Sequence, residues 1–307
     1  MSLLVAIPNR NIERLVSELE QRLGAGLVQQ WPNVTDAHAV DMVLGWQVPA
    51  ELWSMLPNVQ AVSSFGAGVD GLNLGAIPKH LPISRIVDPN LAADMAEYVL
   101  GQVLFHKLNM PRYVAQQRQQ VWRPKRVKGV KKVGLLGYGQ LGKAIAQRLV
   151  ENHFEVMAWS HSVKADAHGV THYSAQSGLA QMLPRCDYLV CVLPLTAQTT
   201  HIINTSLLQQ LPNHCVLINV GRGQHIDDQA LVDALENAQL AGASLDVFSE
   251  EPLAQQHPFW GLDNVVVTPH CSALSDINTV VEQVVENYRR LQNKQTLLHC
   301  INRDKQY

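Results

Sequence analysis

Three polar residues each close a short apolar run in the second half of the chain. They are Arg222 in Leu217-Ile-Asn-Val-Gly-Arg-Gly223, Glu251 in Ser244-Leu-Asp-Val-Phe-Ser-Glu-Glu-Pro252, and His270 in Val265-Val-Val-Thr-Pro-His270. Their types suit one kind of reaction. A guanidinium holds a carboxylate through two parallel hydrogen bonds, a grip that a lysine ammonium cannot copy. An imidazole gives a proton to a carbonyl oxygen in one direction and takes it back in the other. A carboxylate beside that imidazole favours the imidazolium and keeps the ring in one tautomer. Together these are the roles that hydride reduction of a 2-oxo acid requires. Glu250 stands next to Glu251 and competes with it for the inward position.

Hydride chemistry needs a carrier, and an earlier stretch reads as a place to hold one. Lys132-Val-Gly-Leu-Leu-Gly-Tyr-Gly-Gln-Leu-Gly-Lys143 breaks from an apolar run into glycines at 137, 139 and 142. In a dinucleotide site Gly137 allows the sharp turn out of a strand, and Gly139 lets the backbone approach a pyrophosphate. Gly142 lets the following helix pack closely on the sheet. The free amides and positive dipole end at the helix start, near Gln140 and Leu141, then hold the phosphates. Glycines also collect in ordinary turns, so context matters. Leu141, Ile145, Ala146 and Leu149 recur at helical spacing, and Glu155-Val-Met-Ala-Trp159 supplies the next strand of a βαβ unit.

The elements that must position these residues form an α/β pattern. Leu3 to Ile7, Ala39 to Leu44, Val59 to Ser63 and Ile83 to Val87 read as strands, alternating with helix-like stretches such as residues 11–23. Asp88 and Asn90 are helix starters for a long helix over Asn90 to His106. From Val133 to Thr268 the alternation resumes, with strands near Val156, Leu189, Val216, Ala243 and Val266. A last helix is expected over Ala273 to Leu291, returning to the first half. The expected fold class is therefore α/β, with two Rossmann-like or flavodoxin-like doubly wound domains on parallel sheets. A discontinuous substrate domain, 1–98 with 276–307, carries a continuous NAD(P)-binding domain, 99–275. In such sheets the carboxyl ends of the strands face the ligand crevice. Arg222, Asp246, Glu251 and His270 would converge there on the opening that receives a nicotinamide. Two crossings between domains would make a hinge, with the reacting atoms in the cleft.

Composition excludes several alternatives. With 307 residues, 47% hydrophobic and 16% charged, and a net charge of -2, the chain suits a globular protein of about two domains. The only basic cluster, Arg123-Pro-Lys-Arg-Val-Lys128 with Lys131 and Lys132, reads as a solvated connector rather than a nucleic-acid surface. Five cysteines, at 186, 191, 215, 271 and 300, include no Cys-x-x-Cys pair, which argues against a disulfide framework and a zinc site. Cys271 reads as a spectator beside His270. The first residues lack the basic segment and apolar length of a signal peptide, and no run reaches a membrane span. The expectation is a cytoplasmic protein without metal, nucleic-acid or membrane partners.

These segments, with Phe65-Gly-Ala-Gly-Val-Asp70, Asp94-Met-Ala-Glu-Tyr-Val99 and Leu193-Pro-Leu-Thr196, resemble the D-isomer-specific 2-hydroxyacid dehydrogenase family over nearly the whole chain. Trp46 in Leu-Gly-Trp-Gln-Val-Pro, Met95-Ala-Glu-Tyr98 and Trp159-Ser-His-Ser162 are most similar to its glyoxylate/hydroxypyruvate reductase A branch. The resemblance implies Arg222, Glu251 and His270 as the catalytic set. It implies that the Ala67 and Gly68 amides join Arg222 on the substrate carboxylate and that Trp46 closes a small pocket. Leu193, Pro194 and Val220 would line the cofactor, and Asp246 would contact the nicotinamide carboxamide. It also implies a homodimer through the helix that leaves the first domain. Trp122 would then either pack in the core or reach a partner's pocket. The implied reaction is reduction of glyoxylate to glycolate and hydroxypyruvate to D-glycerate. The alternatives are phosphoglycerate or phosphite oxidation, or a non-catalytic nucleotide-sensing protein of the corepressor type.

Cofactor preference is read from one position. A strand ending in Asp or Glu would bond the 2′-hydroxyl of NAD, whereas this one ends Ala158-Trp-Ser-His-Ser162 with Lys164 close behind. Ser160 and Ser162 offer hydrogen bonds, and His161 and Lys164 offer positive or partly positive charge. NADP(H) is expected to be preferred, with NAD(H) possible. His161 stands where the branch often has arginine. The other histidines, including His225 and His299, read as structural or solvent-facing.

Overall fold

Short apolar runs closed by polar or glycine residues become strands in the computed structural model, which describes residues 1–126, 129, 132–163 and 169–306. In chain order the first elements are β1 (Ser2–Ala6), α1 (Glu13–Leu23), β2 (Val28–Gln30), β3 (Val40–Gly45), α2 (Leu52–Met55), β4 (Ala61–Ser64) and β5 (Ile83–Ser84). Then follow α3 (Pro89–Lys107), α4 (Met110–Arg118), β6 (Lys132–Leu136), α5 (Gln140–Glu151), β7 (Glu155–Ser160), β8 (Val170–Ser174) and α6 (Ala175–Met182). The chain continues through β9 (Tyr188–Cys191), α7 (Thr205–Leu208), β10 (Val216–Asn219), α8 (Asp228–Glu236), β11 (Gly242–Leu245), β12 (Val265–Val267) and α9 (Ile277–Gln292).

Contacts divide the chain into two units, Met1–Asn90 with Ser275–Tyr307, and Leu91–Leu274. The first unit holds a parallel five-stranded sheet in the order β2-β1-β3-β4-β5. On one side Leu15, Val16 and Leu19 of α1 pack with Val280, Val281, Val284 and Val285 of α9 over Leu3, Val5 and Leu44. The apolar residues of both helices recur every three or four positions, which gives each one stripe to bury. The last helix starts at Ile277, four residues later than the sequence pattern suggests. Asp276 explains the delay, because its carboxylate accepts from the Thr279 N–H at 3.0 Å and so caps the helix there.

The second unit carries a seven-stranded parallel sheet, ordered β12-β11-β10-β9-β6-β7-β8. The order reverses between β6 and β9, the switch point where such sheets open a crevice at their carboxyl edge. Most of α3 belongs to this unit. Met95, Ala96, Val99 and Val103 bury against Val133, Ile145, Val156 and Ile218, which draws the helix into this core from Leu91 onward. Its far end is tied to β11 by polar atoms. The Ser244 hydroxyl donates to Gln102 Oε1 at 2.8 Å and accepts from His106 Nε2 at 2.8 Å. The helix α4 that follows buries none of its residues. All five cysteines are free, those at 186, 191 and 215 buried and those at 271 and 300 exposed. No helix among the described residues is long and apolar enough to cross a membrane. Nor, among them, do three or more His, Cys, Asp or Glu side chains gather as a metal site would require.

Candidate active site

The carboxyl ends of β10, β11 and β12 lie side by side, and each is followed by one of the three residues singled out above. After β12 the chain turns at His270, whose φ is 51°, in the left-handed region that costs a side-chain-bearing residue energy. A network from β11 holds it there. The His270 N–H donates to the Asp246 carbonyl at 2.8 Å. The Asp246 carboxylate, fully buried, accepts from the Thr268 hydroxyl at 2.5 Å and from the N–H groups of Cys271 at 3.0 Å and Ser272 at 2.9 Å. One carboxylate thus grips the residues on both sides of His270. The Tyr98 hydroxyl extends the network, 2.6 Å from Thr268 Oγ1, and burial pushes its pKa up to about 12.

His270 meets its acid directly. Its Nδ1 lies 2.8 Å from Glu251 Oε2, while Glu251 Oε1 accepts from the Phe248 N–H at 3.0 Å. Glu251, not its neighbour Glu250, makes this contact. Partial burial raises the Glu251 carboxyl. The hydrogen bonds from His270 and Phe248 and the charges of His270 and Arg222 outweigh it, so the net shift is below the ordinary value. The ionised carboxylate in turn requires a proton on Nδ1, which leaves Nε2 to face a reactant.

The influence of Arg222 on Glu251 shows that their loops are neighbours. Gly223 makes that approach possible, since a Cβ there would overlap the backbone of Phe248 and Ser249. Asn219, fully buried at the end of β10, shapes the turn. Its Nδ2 donates to the Arg222 carbonyl at 2.9 Å and its Oδ1 accepts from Gly221 N–H at 3.1 Å. Arg222 donates from Nη1 to the Gly221 carbonyl at 2.7 Å. His225 is fully buried beneath this turn, and its Nδ1 accepts from the Arg222 N–H at 3.0 Å. Of the two readings left open for His225, structural or solvent-facing, burial selects the first.

The glycine turn fits a dinucleotide. Gly137 has φ 112°, and a Cβ on it would meet the Val192 carbonyl at 2.9 Å, so β6 and β9 part here only around a glycine. A Cβ on Gly142 would overlap the Gly137 carbonyl, whereas one on Gly139 would point into open space. Close packing at 137 and 142 with clearance at 139 is the cradle a pyrophosphate requires, and Gly139 caps α5 with no side chain over the first amides, at Gln140 and Leu141. On the β9 side of the turn stand Leu193, buried after β9, and Val220, buried after β10, with Pro194 exposed. After β7, Ser160 accepts from His172 Nε2 at 2.8 Å and donates to the Ser162 carbonyl at 2.8 Å, leaving His161 and Ser162 exposed. Lys164 lies outside the described residues.

In the other unit, Trp46 follows β3 and Ala67 and Gly68 follow β4, all at the carboxyl edge of that sheet. Gly66 and Gly71 seat the indole, since a Cβ on the first would come within 3.1 Å of the ring and one on the second would overlap it. The Arg10 guanidinium lies 5.8 Å from the Trp46 ring centroid and 5.9 Å from that of Phe65. Sequence reasoning passed over Arg10, His172, Thr268 and the anchoring role of Asp246. Arg10 and His172 lie in no local motif, and the hydrogen bonds that Thr268 and Asp246 make inside theirs leave no mark in the sequence. Trp122 is 97% exposed, which removes core packing within the chain as its role.

Comparison with known proteins gives concordant results. The model of the D-isomer specific 2-hydroxyacid dehydrogenase NAD-binding domain matches residues 100–272. The glyoxylate/hydroxypyruvate reductase A of Yersinia enterocolitica is 34% identical over 300 residues, covering 95% of each chain. A D-isomer specific 2-hydroxyacid dehydrogenase from Xanthobacter autotrophicus, solved with NADPH and MES, superposes with a TM-score of 0.93 at 32% identity, covering 100% of this chain and 99% of the other. The NADPH-dependent glyoxylate/hydroxypyruvate reductase of Sinorhizobium meliloti, solved with NADP and sulfate, gives a TM-score of 0.92 at 33% identity over 100% of both chains.

Proposed function

The chain belongs to the D-isomer specific 2-hydroxyacid dehydrogenase family of oxidoreductases acting on CH–OH donors, and from that premise we propose that it reduces small 2-oxo acids with NADPH, glyoxylate to glycolate and hydroxypyruvate to D-glycerate. The observation that carries the reading is the 2.8 Å contact between His270 Nδ1 and Glu251, next to the Arg222 loop and on the same sheet as the glycine turn. The similarity to reductases named for these two substrates supports the choice of acid.

In this mechanism Arg222 grips the substrate carboxylate by two parallel hydrogen bonds. When bound, NADPH supplies the hydride. His270 gives the proton on Nε2 to the carbonyl oxygen, and Glu251 stabilises the imidazolium before transfer and keeps Nδ1 protonated after it. Asp246 serves the nicotinamide carboxamide through the strand end it occupies, while its side chain fixes the His270 turn. Ser160, His161, Ser162 and Lys164 receive the 2′-phosphate; the absence of a carboxylate at the end of β7 supports NADPH over NADH. Exposed apolar side chains on and beside α4 support a homodimer.

A panel of glyoxylate, hydroxypyruvate, phosphohydroxypyruvate and phosphite with its oxidised cofactor, each with both nicotinamides, tests the proposal. The expected result is the highest kcat/KM for the first two with NADPH. A clear preference for NADH, or turnover confined to the phosphorus compounds, overturns it.

A further inference from the structure

Among the described residues His225 is a buried titratable side chain that touches both the loop of Arg222 and the loop after β9, and the proposed reaction makes no use of it. Its ring is fully buried between them. Nδ1 accepts from the Arg222 N–H at 3.0 Å, and Nε2 lies 3.3 Å from the Pro194 carbonyl. A carbonyl only accepts and a backbone N–H only donates, so both contacts are satisfied together by one species alone, the neutral imidazole with its proton on Nε2. The ring is locked on further sides. The His225 N–H donates to the Arg222 carbonyl at 3.2 Å, and its own carbonyl accepts from Ile203 N–H at 2.9 Å. Gly221 leaves room for the ring, since a Cβ there would come within 2.9 Å of Nδ1.

Resting on the reading of Arg222 as the carboxylate-binding group, we propose that His225 is a positioning residue that couples the cofactor loop at Leu193–Pro194 to Arg222, so that a bound nucleotide strengthens the grip on the substrate carboxylate. The imidazole acts as a rigid strut. Its two nitrogens flank Cε1 in a rigid planar ring, so the directions of the two contacts are fixed relative to each other and a shift of the Pro194 carbonyl bears on the Arg222 backbone. Cofactor pressed against Leu193 and Pro194 therefore sets the peptide that aims the guanidinium. By linkage the same strut lets a bound carboxylate tighten the nucleotide.

Two variants separate the ends of the strut. In His225→Asn, Oδ1 takes the place of Nδ1 and still accepts from Arg222, but the side chain falls short of Pro194. In His225→Ala both contacts go. Oxalate, a flat dicarboxylate without a reducible carbonyl, reports the grip of Arg222 without turnover, and its Kd is measured by calorimetry with and without saturating NADP⁺. The wild type is expected to bind oxalate at least about five-fold tighter when NADP⁺ is present, within the usual range of coupling between sites. His225→Asn keeps the wild-type oxalate Kd without nucleotide and loses the tightening. His225→Ala loses both, with the Kd of NADP⁺ alone changed less than about three-fold. A merely structural role would lower the melting temperature and leave the tightening in place. Tightening that survives in His225→Asn overturns the coupling and leaves the proposed reaction standing. Absence of oxalate binding by the wild type, with nucleotide or without, overturns the role of Arg222 and the coupling with it.

Discussion

His270 has its ring held by Glu251 and its backbone held by the network around Asp246, and the two supports are separable. Replacing the ring by His270→Ala removes the proton donor and leaves the backbone network intact. The expected loss in kcat is about 10²- to 10⁴-fold with the NADPH dissociation constant little changed, and single-turnover reduction of glyoxylate measures it. Turnover like that of the wild type would remove His270 from the mechanism. Arg222→Lys keeps the charge and loses the fork, so KM for glyoxylate should rise well before kcat falls, because a point charge cannot hold both carboxylate oxygens. Unchanged steady-state kinetics would count against the grip. That Arg222, Glu251 and His270 follow neighbouring strand ends was legible in the sequence, because each comes after an apolar run in a segment with a recognisable spacing. The supports were not. Asp246 reaches Thr268, Cys271 and Ser272 across 22 to 26 positions, and two of its three partners are backbone amides, which every residue possesses.

At the scale of elements, the buried strands, the long helices and the edge strands β5 and β12 were readable, and the other two edges were not. The helix expected over residues 90–106 spans Pro89–Lys107, and the central strands of both sheets lie where apolar runs end. The missed strands, β2 and β8, are edge strands. Val28-Gln-Gln has three residues, and Val170-Thr-His-Tyr-Ser buries only its first, so neither offers an apolar run to detect. The tie between α3 and β11 was equally hidden, and it has a measurable consequence. Burial lowers the His106 imidazole from 6.5 to about 4. Between those values the unfolded chain binds a proton that the folded chain refuses. Its contribution is therefore complete above 6.5 and is lost as pH falls from 6.5 toward 4, by up to about 3 kcal/mol. Urea unfolding at pH 7 and pH 4.5 should show this slope in the wild type and lose it in His106→Gln, whose amide still donates toward Ser244. An unaltered slope in the variant would assign the pH dependence to other groups.

For the whole molecule, the assembly is the property least visible in a single chain. Leu108, Met110, Val114 and Val121 are each 38–45% exposed, and Trp122 is 97% exposed, although they follow one another within fifteen residues. Among the described residues these apolar side chains are only partly covered, and a second copy is the occupant proposed for them. Sedimentation should give a dimer for the wild type and a monomer for Val114→Glu; a monomeric wild type would remove the proposal. The sequence also places the passages between units at 98/99 and 275/276, while contacts divide the chain at 90/91 and 274/275. The wider gap lies inside α3, where periodicity shows a continuous helix and cannot show which core it serves. Because the glycine turn, Arg222 and His270 all hang from one sheet, their mutual spacing is inherited from strand register. A change confined to the loops leaves that spacing untouched so long as the strands keep their register.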